Sequence, residues 1–480
     1  MTRPLRLVRR VLLLATALVI TLPVMPAGAQ DNDDALNSIQ QELERLRTDN
    51  QAMRAEIDEL RLLTDDNWLT EQRAEEIRGL VQDVLADADT RASLQGTGLT
   101  AGWSDHFFLA SPDGAFKLVL DGKLQFRYLY NYRDEVADRH RAGFENTRTQ
   151  LTFRGHVFSR DWTYLVRGSF DRGITPSNGG AQPAPSGDFR LLDAWVRYHM
   201  TDNWSVRVGQ FKAPFTRERL VDSAYIQGPE RSNIDIHMNT GRTQGIELTY
   251  LDDQNRLSAA FHDGGEEFLF NEMGTLTLSR ASNSTALSRD SEFAFDVRYE
   301  RLIAGTWNQF VDFTSRPDED FAMMFGLAAH ARPQEYEGEG TFGRDEVPWY
   351  AWTADLSIEW GGANLFASFN HHYVDTIIQD INIFGIVVQG GIYVTPKWEL
   401  FARYEHGWWD FDNNTFAALD LATLGANYYI DGHDLKWSTD MGFGLSYIDT
   451  NWASDTAGFR MESANNGPQI VFRTQLQLLF

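Results

Sequence analysis

The sequence predicts an all-β fold, a transmembrane antiparallel β-barrel of about 16 strands, preceded by an N-terminal α-helical coiled coil. Three observations predict it. Apolar and polar residues alternate with period two in segment after segment from about Phe107 onward. The last of these segments runs to the end of the chain and stops on an aromatic residue, Phe480. The first 29 residues read as a secretory signal peptide, so the chain is expected to be exported.

The N-terminal elements come first. Arg3, Arg6, Arg9 and Arg10 form a positive stretch, an apolar run follows from Val11 to Val24, and Pro26-Ala27-Gly28-Ala29 supplies small residues for cleavage after Ala29. The run is short for a bilayer core of about 30 Å, which argues against a membrane anchor. Residues 30–94 are expected to form a periplasmic coiled-coil and helical segment. Leu36, Ile39, Leu43, Leu46, Asn50, Met53, Ile57 and Leu60 are spaced alternately three and four apart, with charged residues on the flanks. Asn50 is the one amide in that seam, and an amide there fixes register and strand number at a cost in stability. A second helical stretch, about Thr70 to Leu94, carries Ile77, Leu80, Val81, Val84 and Leu85 on one side. Residues 95–106, opening with Gln95-Gly96-Thr97-Gly98, read as a linker.

Residues 107–480 carry the strand pattern. In Phe116–Tyr132 the even positions are apolar and end in tyrosines, whereas Lys117, Asp121, Lys123, Gln125, Arg127 and Asn131 occupy odd ones. Leu151, Phe153 and Val157 oppose Arg148, Gln150, Thr152, Arg154 and His156; Leu192, Ala194, Val196 and Tyr198 oppose Asp193, Arg197 and His199. Ionised groups at so many positions of the opposite face suit a barrel around water with lipid outside. Tight turns such as Thr201-Asp202-Asn203 alternate with long polar connections, a further barrel trait. The stretch from Thr306 to Asp320 fits neither strand nor short turn clearly. Ile470, Phe472, Leu476, Leu478 and Phe480 share one face of the terminal strand, and Phe480 resembles the signal that outer-membrane assembly machinery reads.

Composition excludes several classes. With no cysteine among 480 residues there is no disulfide scaffold and no thiol-based metal or redox chemistry. A net charge of −25 argues against a nucleic-acid partner. His371-His372 suggests a metal, but adjacent strand residues point to opposite faces. No nucleophile elbow or HExxH motif occurs, so neither an enzyme, a cofactor nor a metal site is expected.

Several segments resemble the phosphate-selective porin O and P family. They are GWSDHFFLASPDGAFKLVLDGKLQFR from Gly102, GFENTR from Gly143, DAWVRYHMTDNWSVRVGQFKAPFTRERLVDSAYIQGPERSN from Asp193, LGANYY from Leu424, and the terminal strand. The similarity covers residues 101–480, and the block around Val208 to Ser232 is its most specific part. The resemblance implies a sixteen-stranded, trimeric outer-membrane porin of a Gram-negative-type cell, with an arginine ladder and a basic constriction that passes phosphate or other oxyanions.

The residues support that expectation unevenly. In the first half, Lys117, Lys123, Arg127, Arg148, Arg154, Arg167, Arg197 and Arg207 fall on the inward face, accompanied chiefly by Asp121 and Asp193. Arginine's planar fork grips oxyanions bidentately and stays charged. The connection from Lys212 to Asn233 is expected to fold into the pore, making Lys212, Arg217, Arg219 and Arg231 the constriction candidates. In the second half Glu247, Glu292, Asp296, Asp355, Glu359, Glu399 and Glu405 face inward against Arg298, Arg403 and Arg473, which predicts an acidic wall opposite a basic one. The expected function is passive diffusion of small anions, phosphate or polyphosphate among them. The alternatives are a general or other-solute porin, or a structural envelope protein tethered through its coiled coil. The expected partners are outer-membrane lipid, small anionic solutes, two further copies in a homotrimer and the assembly machinery.

Overall fold

The computed structural model describes residues 98–480 apart from 105, 135–137, 172–188, 265, 271–275, 281–292, 334–347, 376–379, 412–413, 447, 449–451 and 461–467. The signal peptide, the coiled coil with Asn50, and Glu292 lie outside the described residues.

Alternation of apolar and polar side chains is realised as one sheet closed on itself. In chain order its first strands are β1 (Thr100–Ser104), β2 (His106–Ala110), β3 (Lys117–Arg133), β4 (His140–His156) and β5 (Trp162–Ser169). Next come β6 (Arg190–His199), β7 (Trp204–Lys212), β8 (Arg242–Leu251) and β9 (Asn255–His262). A separate hairpin of β10 (Glu266–Phe270) and β11 (Leu276–Arg280) precedes β12 (Ala294–Ala304), β13 (Ala322–Arg332) and β14 (Trp349–Trp360). The remainder are β15 (Ala363–Asp375), β16 (Asp380–Thr395), β17 (Trp398–Phe411), β18 (Asn414–Asp431), β19 (Leu435–Gly444) and β20 (Gln469–Leu479).

Sixteen of these, β3–β9 and β12–β20, pair antiparallel in sequence order, and β20 returns to β3 to close the ring. Closure matters because an open edge of unpaired amides is not viable in hydrocarbon. The seam is locked at the last residue: Phe480 N donates to Gly122 O at 3.1 Å and Gly122 N donates to Phe480 O at 2.6 Å. Thr100–Ser104, read as linker from its composition, is instead a strand. It pairs with β2, and β2 pairs with the start of β3 below the end of β20.

One end of the barrel carries the tight turns 157–161, 200–203, 252–254, 361–362, 396–397 and 432–434, together with both ends of the sheet. The other end carries the long connections 170–189, 213–241, 263–293, 333–348 and 445–468. An aromatic belt marks the short-turn end on the outer face: Trp162 stacks on Tyr198 at 4.6 Å, and Trp204 packs tilted on Tyr250 at 5.0 Å and Trp398 on Tyr428 at 4.8 Å. Amphipathic rings at the edge of an apolar band mark a membrane interface. The inside–outside assignment holds along β3, β12, β14 and β20, where the polar set is buried except for Lys117 and Asp121 near the start of β3, and Phe126, Val297, Trp352 and Leu476 are exposed. Leu192 differs. It was expected on the outer face, but the β5–β6 register shifts between Arg167 and Gly168, opposite Asp193 and Leu191, and Leu192 is buried. A bulge of this kind adds one residue and breaks the alternation locally.

Gly209 of β7 has φ 129°, and a β-carbon there would lie 2.2 Å from the Ala194 carbonyl oxygen. It sits four residues before the long connection 213–241 and lets β7 approach β6 closely. Gly209→Ala is expected to cost about 1–3 kcal/mol from the left-handed backbone alone, read as a lower urea midpoint of unfolding in detergent micelles. An unchanged midpoint would show that β7 relaxes around the added methyl.

Candidate functional site

A sixteen-stranded ring is wide enough for water, so what fills it decides what passes. The long connection 213–241 turns into the barrel, and nearly all of it is buried. Two short helices shape it, α1 (Arg217–Leu220) and α2 (Asn233–Met238). Ser232 caps α2 by accepting from Asp235 N at 2.9 Å, and Glu405 of β17 accepts from Asn233 N at 2.5 Å, so the helix start is satisfied from its own chain and from the wall. Phe215, Ile234 and Met238 join Trp349, Phe366 and Trp409 of the wall in one apolar cluster.

Two further segments fold inward. The stretch 305–321, ambiguous in sequence, is a connection at the short-turn end with one 3-10 turn, Gln309–Val311, and buried Phe310 and Phe313. It enters from the opposite end and meets the first segment. Phe313 N donates to Tyr225 O at 3.2 Å, and Thr314 Oγ1 donates to Glu399 at 2.9 Å. From the long-loop end, the connection after β19 inserts Trp452 and Phe459.

The expected constriction residues are inside the barrel, but they hold the loop together. Lys212 Nζ donates to Leu220 O and Val221 O, and Arg231 donates to Glu218 O at 2.9 Å and Val221 O at 2.7 Å. Arg217 donates to Phe310 O and Asp312 O with its guanidinium against the rings of Phe310 and Phe313, so it ties α1 to the segment from the other end. Arg219 lies half-buried on α1.

The expected ladder divides into three groups. Lys123 pairs with Asp222, Arg127 pairs with Glu145 and donates to Thr456 O, and Arg148 meets Glu230 at 2.5 Å. These three anchor inward segments. Lys117 lies at the rim beside β2, over the Phe108 ring. The others keep water-facing surface: Arg154, whose side chain is 44% exposed beside Asp121, Arg167 against Asp222, and the adjacent pair Arg197 and Arg207. Arg197 and Arg207 are register partners on β6 and β7. Both lie over Trp195, at 5.2 and 5.6 Å, and both face one carboxylate, Glu247, at 3.9 and 2.6 Å.

The acidic second wall is present but covered, a correction to the expected field across the pore. Asp355 is clasped by Arg298 at 2.8 Å, Glu405 by Arg403 at 2.9 Å and Asp440 by Arg473 at 2.7 Å, all buried. Glu399 takes five neutral donors, from Gln227, Thr314, Asn364, Asn427 and Tyr429. His371 and His372 do point to opposite faces. His372 is buried against Met238 O, while His371 bonds Asn382 and packs on Trp352 and Phe384. A grouping that spacing along the chain did not disclose is His262, Asp296 and His330, on three neighbouring strands and fully buried. Alternation places Asp296 inward, but only the strand register brings the two histidines to it.

Glu218 of α1 is buried beside Asp235, which raises its carboxyl above the usual glutamate range, while Ser232 N and Oγ, each at 2.6 Å, act against that shift. A carboxyl raised on folding binds more protons folded than unfolded, so the loop is most stable below that range and loosens as pH rises through it. Conductance across a planar bilayer is expected to increase as pH climbs from mildly acidic to neutral, and Glu218→Gln to flatten that response. An equal slope in the variant would remove Glu218 from the account.

A protein of Aquifex aeolicus (strain VF5), described only as uncharacterized, is 22% identical over 391 residues, covering 76% of this chain and 86% of its own. Among solved structures, Salmonella typhi OmpF in complex with daunomycin is similar at 12% identity, over 79% of this chain and 100% of that one, with a TM-score of 0.49. An anion-selective porin from Comamonas acidovorans is similar at 13% identity, over 76% and 99%, with a TM-score of 0.47. The family model for phosphate-selective porin O and P matches residues 120–478, which is β3 almost to the end of β20. The chain therefore belongs to the phosphate-selective porin O and P family, outer-membrane porins, which are channels and not enzymes.

Proposed function

We propose that this porin passes small anions by passive diffusion, phosphate or polyphosphate among them, along the basic inner wall of β4–β9. The observation that carries the reading is the Arg197–Arg207 pair. Two guanidinium groups share the single carboxylate of Glu247, which leaves a local surplus of one positive charge. Arg197 reaches that carboxylate only at 3.9 Å, and the Nε atoms of both arginines are buried without a hydrogen-bond partner. Trp195 braces both forks, so an oxyanion meets donors already held in place. Arg154 and Arg167, on the same wall and still water-facing, supply further stations, and several moderate sites in series suit conduction better than one tight site.

The proposal extends to assembly. The chain is exported by its first 29 residues, inserted with Phe480 as the assembly signal, and functions as a homotrimer, with the 30–94 heptads and Asn50 specifying oligomer register.

The test is reversal potential in a salt gradient across a planar bilayer. Anion preference is expected for the wild type. Arg197→Ala with Arg207→Ala is expected to lower the anion-to-cation permeability ratio several-fold and to weaken block of chloride current by added phosphate. Cation preference in the wild type would overturn the proposal in favour of a general or other-solute pore. Chloride current indifferent to phosphate would keep the anion path and remove phosphate.

A further inference from the structure

We infer that His262, Asp296 and His330 form a binding site for one divalent transition-metal ion, with Zn2+ the ion their donors suit. The three residues lie on β9, β12 and β13, which are neighbours in the ring. Asp296 is directly opposite His330 in the β12–β13 register, and His262 is two positions along the β9 side. One ligand atom from each residue lies within 4.8 Å of the other two. His262 Nε2 is 2.5 Å from one oxygen of Asp296, and His330 Nδ1 is 3.2 Å from the other.

Charge is the first argument. A carboxylate withdrawn from water needs a cation or a full set of donors. Asp355 and Asp440 have arginines. Asp296 is equally buried, yet its ion-pair partners are two imidazoles. The second argument is an outer contact. His262 Nδ1 lies 2.9 Å from Thr243 Oγ1 and 3.3 Å from Gly264 O and accepts from Gly264 N at 3.1 Å, so contacts outside the site hold the ring with Nε2 turned toward Asp296. Outer contacts of this kind orient a histidine ring toward a metal. The third is incompleteness. His330 Nε2 is buried with no hydrogen-bond partner, while its ring rests 4.1 Å from Trp349 and its Nδ1 meets Asp296, so Nε2 is the nitrogen the protein leaves open to an ion.

Two imidazole nitrogens and a carboxylate favour Zn2+ and its neighbours over Ca2+ or Mg2+, which take oxygen ligands. Three protein donors leave one coordination position for water or an anion. The ion would join β9, β12 and β13 in addition to their ladders of hydrogen bonds.

The experiment uses full-length protein stripped with EDTA in denaturant and refolded in detergent with or without ZnCl2. Wild type is expected to retain about one Zn2+ per chain by elemental mass spectrometry, to unfold at a higher temperature with Zn2+, and to give a visible absorption band when refolded with Co2+. His262→Gln with His330→Gln keeps hydrogen-bonding groups on both strands and is expected to fold but lose all three signals. Thr243→Val is expected to weaken Zn2+ affinity about 10–100-fold. His371→Ala, on the outer face, is expected to change nothing. Folded wild type that retains no more Zn2+ than the double glutamine variant would overturn the site.

Discussion

The constraint on which the rest of this barrel depends is that inward-folded, irregular chain must have its backbone carbonyls paired. A buried carbonyl without a donor costs about as much as a lost hydrogen bond, and loops have no ladder of their own to supply one. Here the wall supplies it with cations. Arg298 donates to Phe215 O, Arg403 to Glu230 O, Lys436 to Ala224 O and Ile226 O, and Arg473 to Ala457 O. Each of these arginines also grips a carboxylate of the wall, so its fork is held from the wall as well as from the loop. A basic residue facing into a barrel therefore has two uses, and most on β12–β20 serve the first.

That division sets where an ion can travel. The inward side chains of β12–β20 are buried beneath 213–241, 305–321 and the connection after β19, whereas Arg154, Arg167, Arg197 and Arg207 on β4–β7 retain exposed surface. The segment from the short-turn end has a particular part in this. It presents Phe310, Phe313 and Thr314 to the loop from the other end, so the two meet in the lumen and are joined through Arg217 and Glu399. Narrowing from both ends, with most of the filler over β12–β20 and only Asp222 and Glu230 reaching across to Lys123, Arg167 and Arg148, leaves Arg154, Arg197 and Arg207 on the less covered side.

Much of this was legible in the residues. Period two from Phe116 to Tyr132 gave face and strand, because a strand half in lipid cannot tolerate slippage by one residue. The inward course of the connection from Lys212 to Asn233 was implied by the likeness to sixteen-stranded porins and not by its residues alone. Leu192 was misassigned because a bulge breaks alternation without leaving a mark in composition. The ladder arginines were correctly faced, yet their partners Glu145, Asp222 and Glu230 come from other strands or from the loop, and such pairings depend on register and folding-in. The same holds for His262 and His330. Each reads as an ordinary polar position, and only adjacency across β9, β12 and β13 turns them into a group.

The acidic excess of the chain raises the question of how anions could be favoured at all. Net charge is −25, and β12–β20 carry most of the inward carboxylates. A charge influences a permeating ion according to its exposure and its local neutralisation, and not simply by being counted. Asp355, Glu405 and Asp440 each meet a buried arginine, and Glu399 is wrapped by five donors beneath the loops. Their field is largely compensated before it reaches water. On the facing wall compensation is incomplete, since Glu247 serves both Arg197 and Arg207. A locally positive path inside an acidic protein thus needs no overall positive charge. It needs carboxylates buried with their partners on one side and arginines outnumbering them on the other.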